Sequence, residues 1–182
     1  GAMFIPSSHD LTMGYARKFG LRLHPIPARA LSPTLYLHAR RIAPDRPRGY
    51  DWPVELSKRE RRMTLDEMSE TYLSPILDRL GNPRSKGWPP PRLRELDGQS
   101  YAEFLRGRGA SPGAIEILRL NDADLIGDGI ESVSALMVLR ETKYYETAYE
   151  TYAVTGGSDL LPHAFASRLK DSIRYSSPVS TI

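Results

Sequence analysis

The hydrophobic period of this chain changes at Glu150. Before it, apolar side chains recur mainly at helical spacing. After it, Thr151-Tyr152-Ala153-Val154 reads as a short strand and Gly156-Gly157 as a tight turn. Asp159 to Leu169 reads as an amphipathic helix and Ile173-Arg174-Tyr175 as a second strand. Ser177-Pro178 breaks that strand ahead of Val179-Ser180-Thr181-Ile182. Strands this short cannot satisfy their backbone groups alone, so the segment needs a sheet to join. The pattern predicts an α+β chain, mainly helical over residues 1–149, with a strand–helix–strand over 150–182.

The helical part carries clear start and stop signals. Leu11, Tyr15, Ala16 and Phe19 recur at helical spacing over about residues 9–19, with Ser8 ahead of the run and Gly20 as a C-terminal cap. Leu21 and Leu23 alternate with polar neighbours before a Pro-punctuated connection. Leu35-Tyr36-Leu37 and Arg41-Ile42, around a short polar turn, predict a hairpin near 35–42. Residues 44–56, with three prolines, a glycine and Trp52, read as a loop that packs without regular structure.

Ser57 with Glu60, and Thr64 with Glu67, both fit the capping box, in which hydroxyl and carboxylate satisfy orphan amides reciprocally. The second opens a helix over 65–80 that places Leu65, Met68, Tyr72, Ile76 and Leu80 on one stripe and ends at Gly81. Residues 81–95, with Pro83 and Pro89-Pro90-Pro91, read as a surface loop or stiff spacer. Ser100 caps a helix containing Tyr101, Phe104 and Leu105, which Gly107 to Gly109 break. Ser111-Pro112 starts another, and Glu131 to Thr142 a further one with Val133, Leu136, Met137 and Arg140 along its stripe.

A hydrophobic content of 40% with 26% charged residues is ordinary for a soluble globular protein. The chain has no cysteine, which excludes disulfide staples, thiolate metal sites and cysteine nucleophiles. No apolar run approaches the roughly 20 residues that span a bilayer, so no membrane span is expected; a cytoplasmic location is expected, with secretion left open. The net charge is only +3, and the cluster Lys58-Arg59-Glu60-Arg61-Arg62 is interleaved with Glu55, Asp66 and Glu67. It reads as a solvated helix face, and no nucleic-acid partner is expected. His9, His24, His38 and His163 form no ligand or nucleophile pattern, and Asp122, Asp124 and Asp128 lack EF-hand spacing, so no metal site is expected. Tyr144, Tyr145, Tyr149 and Tyr152 read as core packing, with a pocket wall as the other reading.

Four segments, in order, carry a resemblance. They are Gly1-Ala2-Met3-Phe4-Ile5-Pro6-Ser7-Ser8-His9 with Phe19-Gly20-Leu21; Tyr36-Leu37-His38-Ala39-Arg40-Arg41-Ile42; Gly109-Ala110-Ser111-Pro112-Gly113; and the stretch from Tyr152 through Gly156-Gly157 and Leu161-Pro162 to Phe165, followed by Ile173 to Ile182. Together they resemble the flavin-dependent amine oxidases, and within them the L-amino-acid oxidase-like branch. The resemblance covers nearly the whole chain, with weak stretches at about 43–95 and 121–148. It makes Gly1-Ala2-Met3 native sequence, although alone that tripeptide could be a remnant of tag removal.

The resemblance implies FAD as cofactor. Residues 1–149 would be most of a helical substrate-binding domain, and 150–182 a strand–helix–strand returning to the FAD-binding domain. The Gly-x-Gly-x-x-Gly turn that holds the FAD pyrophosphate in this family has no counterpart here, so an internal piece of a longer enzyme is expected. Its partners would be the remaining FAD-domain segments or chains, a small-molecule amine or amino acid, and further copies in a homo-oligomer. Gly1, Ala2, Met3 and Phe4 would run along the isoalloxazine ring, and the backbone of Val179 would pair with the adenine edge.

Phe4 is the informative departure and the expected substrate-binding residue. The L-amino-acid oxidases carry there an arginine that clamps the substrate carboxylate, which a phenyl ring cannot do. No catalytic side chain is assigned, because hydride transfer to the flavin requires no acid/base pair if the amine arrives neutral. The implied reaction converts an amine or L-amino acid to an imine, then to an aldehyde or keto acid plus ammonia, with dioxygen reduced to hydrogen peroxide. A monooxygenase of the same family and a non-catalytic helical interaction module are the alternatives.

Overall fold

The strand Thr151–Val154 (β5) finds its partners at the other end of the chain. In a computed structural model that describes residues 4–27, 35–42, 51–122, 126–146 and 150–181, it lies between Ile5–Pro6 (β1) and Leu23–Ile26 (β2), antiparallel to both. Ile5 sits opposite Tyr152, and His24 opposite Ala153. The chain accordingly divides into two compact units. One joins Gly1–Leu31 to Thr147–Ile182; the other is Ser32–Glu146. No single cut near residue 149 separates them, because β5 takes its hydrogen-bond partners from the N-terminal segment.

In the first unit, Asp10–Lys18 (α1) follows β1. It ends in a Schellman motif: Gly20, at φ +70°, donates to Arg17 and Leu21 donates to Ala16, which satisfies the last carbonyls. Ile5, Met13 and Val154 form a small core with Leu21, Leu23 and Tyr152 against it. The backbone pairs Ser7 with Glu150 and Thr155 with Arg22 show which strand positions face β5. By alternation, Pro6 on β1 and Pro25 on β2 point their nitrogens away from it, to the outer edges.

Gly156 and Gly157 (φ +97° and +123°) turn the chain into Leu160–Leu169 (α6). No residue of α6 is fully buried, yet Phe165 packs on Tyr15 and Phe19 with ring centroids 4.7 and 4.8 Å apart, and Arg168 lies 4.2 Å above the Phe19 ring. The second strand expected at 173–175 does not form. Residues 173–181 contain no strand among the described residues.

In the second unit, Leu35–Leu37 (β3) and Arg40–Ile42 (β4) form the expected hairpin. Its two-residue turn holds His38 and Ala39 at φ +48° and +60°, the mirror-image geometry that matches strand twist and usually demands Asn or Gly. His38 Nε2 meets Glu116 Oε1 at 2.7 Å, which fastens the turn to the helix Pro112–Asn121. Residues 51–56 pack without regular structure, with Trp52 and Leu56 buried.

The helices that carry the second core are Leu65–Leu80 (α2), Tyr101–Gly107 (α3), Pro112–Asn121 (α4) and Ala135–Glu146 (α5). Thr64 and Ser100 each complete a capping box, and Ser111 caps α4 with Pro112 in its first turn. All five residues of the α2 stripe are buried, together with Leu73 and Leu77. The stripe of α5 is shifted from expectation. Ser134 Oγ accepts from the Met137 amide, so the helix starts at Ala135, buries Leu136, Val138 and Leu139, and leaves Met137 exposed. Pro91–Gly98 is a 3-10 helix rather than loop, with Leu93 buried.

Glu60, in a 3-10 turn over Glu60–Arg62, is the buried polar residue of this unit among the described residues. Its carboxylate accepts the Ser57 amide (2.8 Å), the Ser111 amide (2.9 Å) and the Tyr72 hydroxyl (2.5 Å), which ties the 57–62 turn, α2 and α4 together. Burial alone would raise its pKa. The bonds from Ser111, Ser57 and Tyr72 more than offset that and hold it at about 2. Gly113 marks a second tight approach: a Cβ there would lie 2.3 Å from the Glu55 carbonyl oxygen.

Because Glu60 falls from an ordinary 4.5 to about 2 on folding, its contribution is complete above pH 4.5 and is lost as pH drops toward 2. The shift corresponds to about 3 kcal/mol. Urea unfolding as a function of pH should show stability declining through that window, and Glu60→Gln should flatten the decline while costing about 2–4 kcal/mol at pH 7. A second pair of variants separates packing from propensity. Gly113→Ala should destabilise by about 1–3 kcal/mol through the Glu55 clash. Gly14→Ala in α1, with nothing within 4 Å of its added methyl, should stabilise by about 0.5–1 kcal/mol in the same measurement.

Candidate functional site

The expected site residues lie in the first unit. Gly1, Ala2 and Met3 fall outside the described residues. Phe4 is half-buried and immediately precedes β1. Extending the register of Ile5 with Tyr152 and Pro6 with Thr151 by one residue sets Phe4 opposite Ala153, whose other neighbour is His24. The alternation of side chains then sorts the sheet into two faces. Ile5, Tyr152, Val154 and Leu23 look toward the small core, while Phe4, Ala153, His24 and Thr155 share the opposite face.

On that face a small residue in the central strand sits between an aromatic and an imidazole. Neighbouring strands are about 4.8 Å apart, so Phe4 and His24 flank Ala153 across two strand spacings. The ring of His24 is held by a 3.1 Å hydrogen bond between its Nδ1 and Thr155 Oγ1. No spacing along the chain joins His24 to Phe4; only pairing of both strands with β5 brings them together.

Val179 is 77% exposed in the irregular segment after α6. No backbone hydrogen bond engages it among the described residues. Of the tyrosines, Tyr144 lies in the second unit, where Arg84 Nε donates to its hydroxyl at 2.6 Å. Tyr152 lies in the first and bonds Glu150. Tyr149 and the side chain of Tyr145 fall outside the described residues.

An open groove of about 890 Å³ lies in the second unit, lined by Lys58, Arg59, Arg62, Met63, Glu67 and Glu70. It mixes both signs of charge at the solvated cluster, with the Thr71 hydroxyl also at its wall. Among the described residues no group of three or more His, Asp or Glu side chains could hold a metal, and no described helix is long and apolar enough to cross a membrane.

Comparison with known proteins decides the family. The sequence profile described as flavin containing amine oxidoreductase matches residues 1–182. The chain belongs to that family. It is also 30% identical over 181 residues to the Bacillus subtilis (strain 168) protein named "Putative L-amino-acid oxidase YobN". That match takes in 96% of this chain and 36% of the relative's length. The family's description implies a flavin cofactor, FAD, for its members, and the chain spans about a third of the length of the curated relative it matches.

Proposed function

We propose that this chain forms part of an FAD-dependent oxidase that converts a primary amine to an imine, with dioxygen as terminal acceptor and hydrogen peroxide as product. Family membership supports the reaction class, and the identity of residue 4 carries the substrate reading. Residues 32–146 would belong to the substrate-binding domain. The unit that joins the N-terminal segment to 147–182 would connect it to the FAD-binding domain.

When bound, FAD supplies the two-electron acceptor for the hydride leaving the substrate α-carbon. The work of this chain is orientation and exclusion of water. Gly1, Ala2 and Met3 would let the backbone approach the isoalloxazine ring closely, and the Val179 amide and carbonyl would pair with the adenine edge. Phe4 would give the substrate an apolar wall. A carboxylate buried unpaired against that ring would cost several kcal/mol, which favours an alkyl or aryl amine lacking an α-carboxylate there. The name of the Bacillus subtilis relative favours a second reading, an L-amino acid whose carboxylate is anchored by another residue.

The full-length protein should be yellow, with the absorbance bands of oxidised flavin; a colourless preparation would favour a non-catalytic module. In a peroxide-coupled assay, kcat/KM should be higher for an amine than for the amino acid from which it derives by decarboxylation. Phe4→Arg should shift that ratio toward the acid by at least about tenfold, the worth of a charge-assisted hydrogen bond. A parent enzyme that strongly prefers the acid would overturn the amine reading.

A further inference from the structure

Leu23 packs on the small core of the first unit, so its neighbours Arg22 and His24 both point to the opposite face of the sheet, the one that carries Phe4. Thr155 joins them there. Its amide donates to the Arg22 carbonyl at 2.8 Å, and its hydroxyl meets His24 Nδ1 at 3.1 Å. Arg22 and His24 stand about 6.6 Å apart along the strand, and both are exposed.

No ion pair engages Arg22 among the described residues, and no hydrogen bond engages His24 Nε2. The acidic residues of this unit are Asp10, Glu150, Asp159 and Asp171. Asp10 opens α1, which packs on the core face through Met13. Glu150 accepts from the hydroxyl of Tyr152, whose ring lies on that same core face. Asp159 lies 3.7 Å from His163 Nε2, and Asp171 follows the far end of α6. None of these carboxylates pairs with the Arg22 guanidinium.

The face therefore runs from an aromatic to a cation. Phe4 and Arg22 are two strand spacings apart across the sheet and two residues apart along it, about 12 Å between backbones. Ala153, in the strand between, presents only a methyl group. A phenyl ring beside the reacting carbon disfavours a carboxylate there, whereas a guanidinium fork at the other end matches one. We propose that Arg22 binds a carboxylate remote from the reacting carbon, so that the substrate is an amine whose acidic group lies several bonds from the nitrogen. The proposal rests on the amine reading above, with Phe4 as a wall of the site, and adds the substrate class. An extended six-bond chain spans about 7 Å, and the flexible arginine side chain covers the remaining distance.

The test uses the full-length protein in the peroxide-coupled assay with three amines of one carbon-chain length. Hexylamine has no carboxylate, ε-aminocaproate has one at the far end, and L-norleucine has one on the α-carbon. In the parent, kcat/KM should be at least about tenfold higher for ε-aminocaproate than for hexylamine, the worth of a charge-assisted pair. Arg22→Gln should lower that ratio by at least about tenfold, through KM rather than kcat, and Arg22→Lys should keep most of it. Arg17→Gln, at an exposed arginine of α1 on the core side of the sheet, should leave the ratio within about twofold. Thermal unfolding should be nearly unchanged in all three variants, since both side chains are exposed. Equal kcat/KM for ε-aminocaproate and hexylamine in the parent, no turnover of ε-aminocaproate, or equal losses in Arg22→Gln and Arg17→Gln would overturn the proposal. Hexylamine turnover in the same assay would leave the amine reading standing. A kcat/KM for L-norleucine above both others would overturn the amine reading and this proposal with it.

Discussion

One buried carboxylate organises the larger unit. Glu60 accepts from the 57–62 turn, from Tyr72 on α2 and from the amide that opens α4. An ion withdrawn from water is favourable only when nearly every lone pair is answered, and here three segments answer it. To the close packing of α2 and α4 the carboxylate adds a directional constraint between them. The Glu55 backbone then runs so close to α4 that only glycine fits at position 113. The motif from Gly109 to Gly113 is thus accounted for by packing and capping within the fold.

The smaller unit is built on the opposite principle. Among the described residues its core cluster is Ile5, Met13 and Val154, and its order comes also from backbone pairing with β5 and from the ring contacts between α1 and α6. An arrangement with so little buried apolar surface is governed by its hydrogen bonds, which makes strand register the quantity that positions Phe4. A slip of one residue would exchange the two faces of the sheet and send Phe4 to the core side.

Local grammar was legible in the sequence: the capping residues, the α2 stripe, the hairpin near 35–42 and the Gly-Gly turn all follow from rules that act within a few residues. What failed was long-range. The start of α5 depends on which serine supplies the cap, and Ser134 does so next to a bridge with Ser100. Glu60 belongs by composition to a solvated charged run, yet it is the one member turned inward, because Tyr72 and Ser111 reach it from elsewhere in the chain. The partners of β5 lie about 130 to 150 residues upstream, beyond the reach of periodicity. Of the candidate site, Phe4 was legible through family resemblance, whereas Ala153 and His24 join it only through sheet register.

The two prolines of the small sheet bear on its solution behaviour. Both occupy outward-facing positions of the flanking strands, where any other residue would offer a peptide N–H to a passing chain. Each margin therefore lacks a donor at the point where an added strand would dock. Each proline leaves its carbonyl as an acceptor but removes one donor from an outer margin, so a strand added to either edge would form an interrupted ladder.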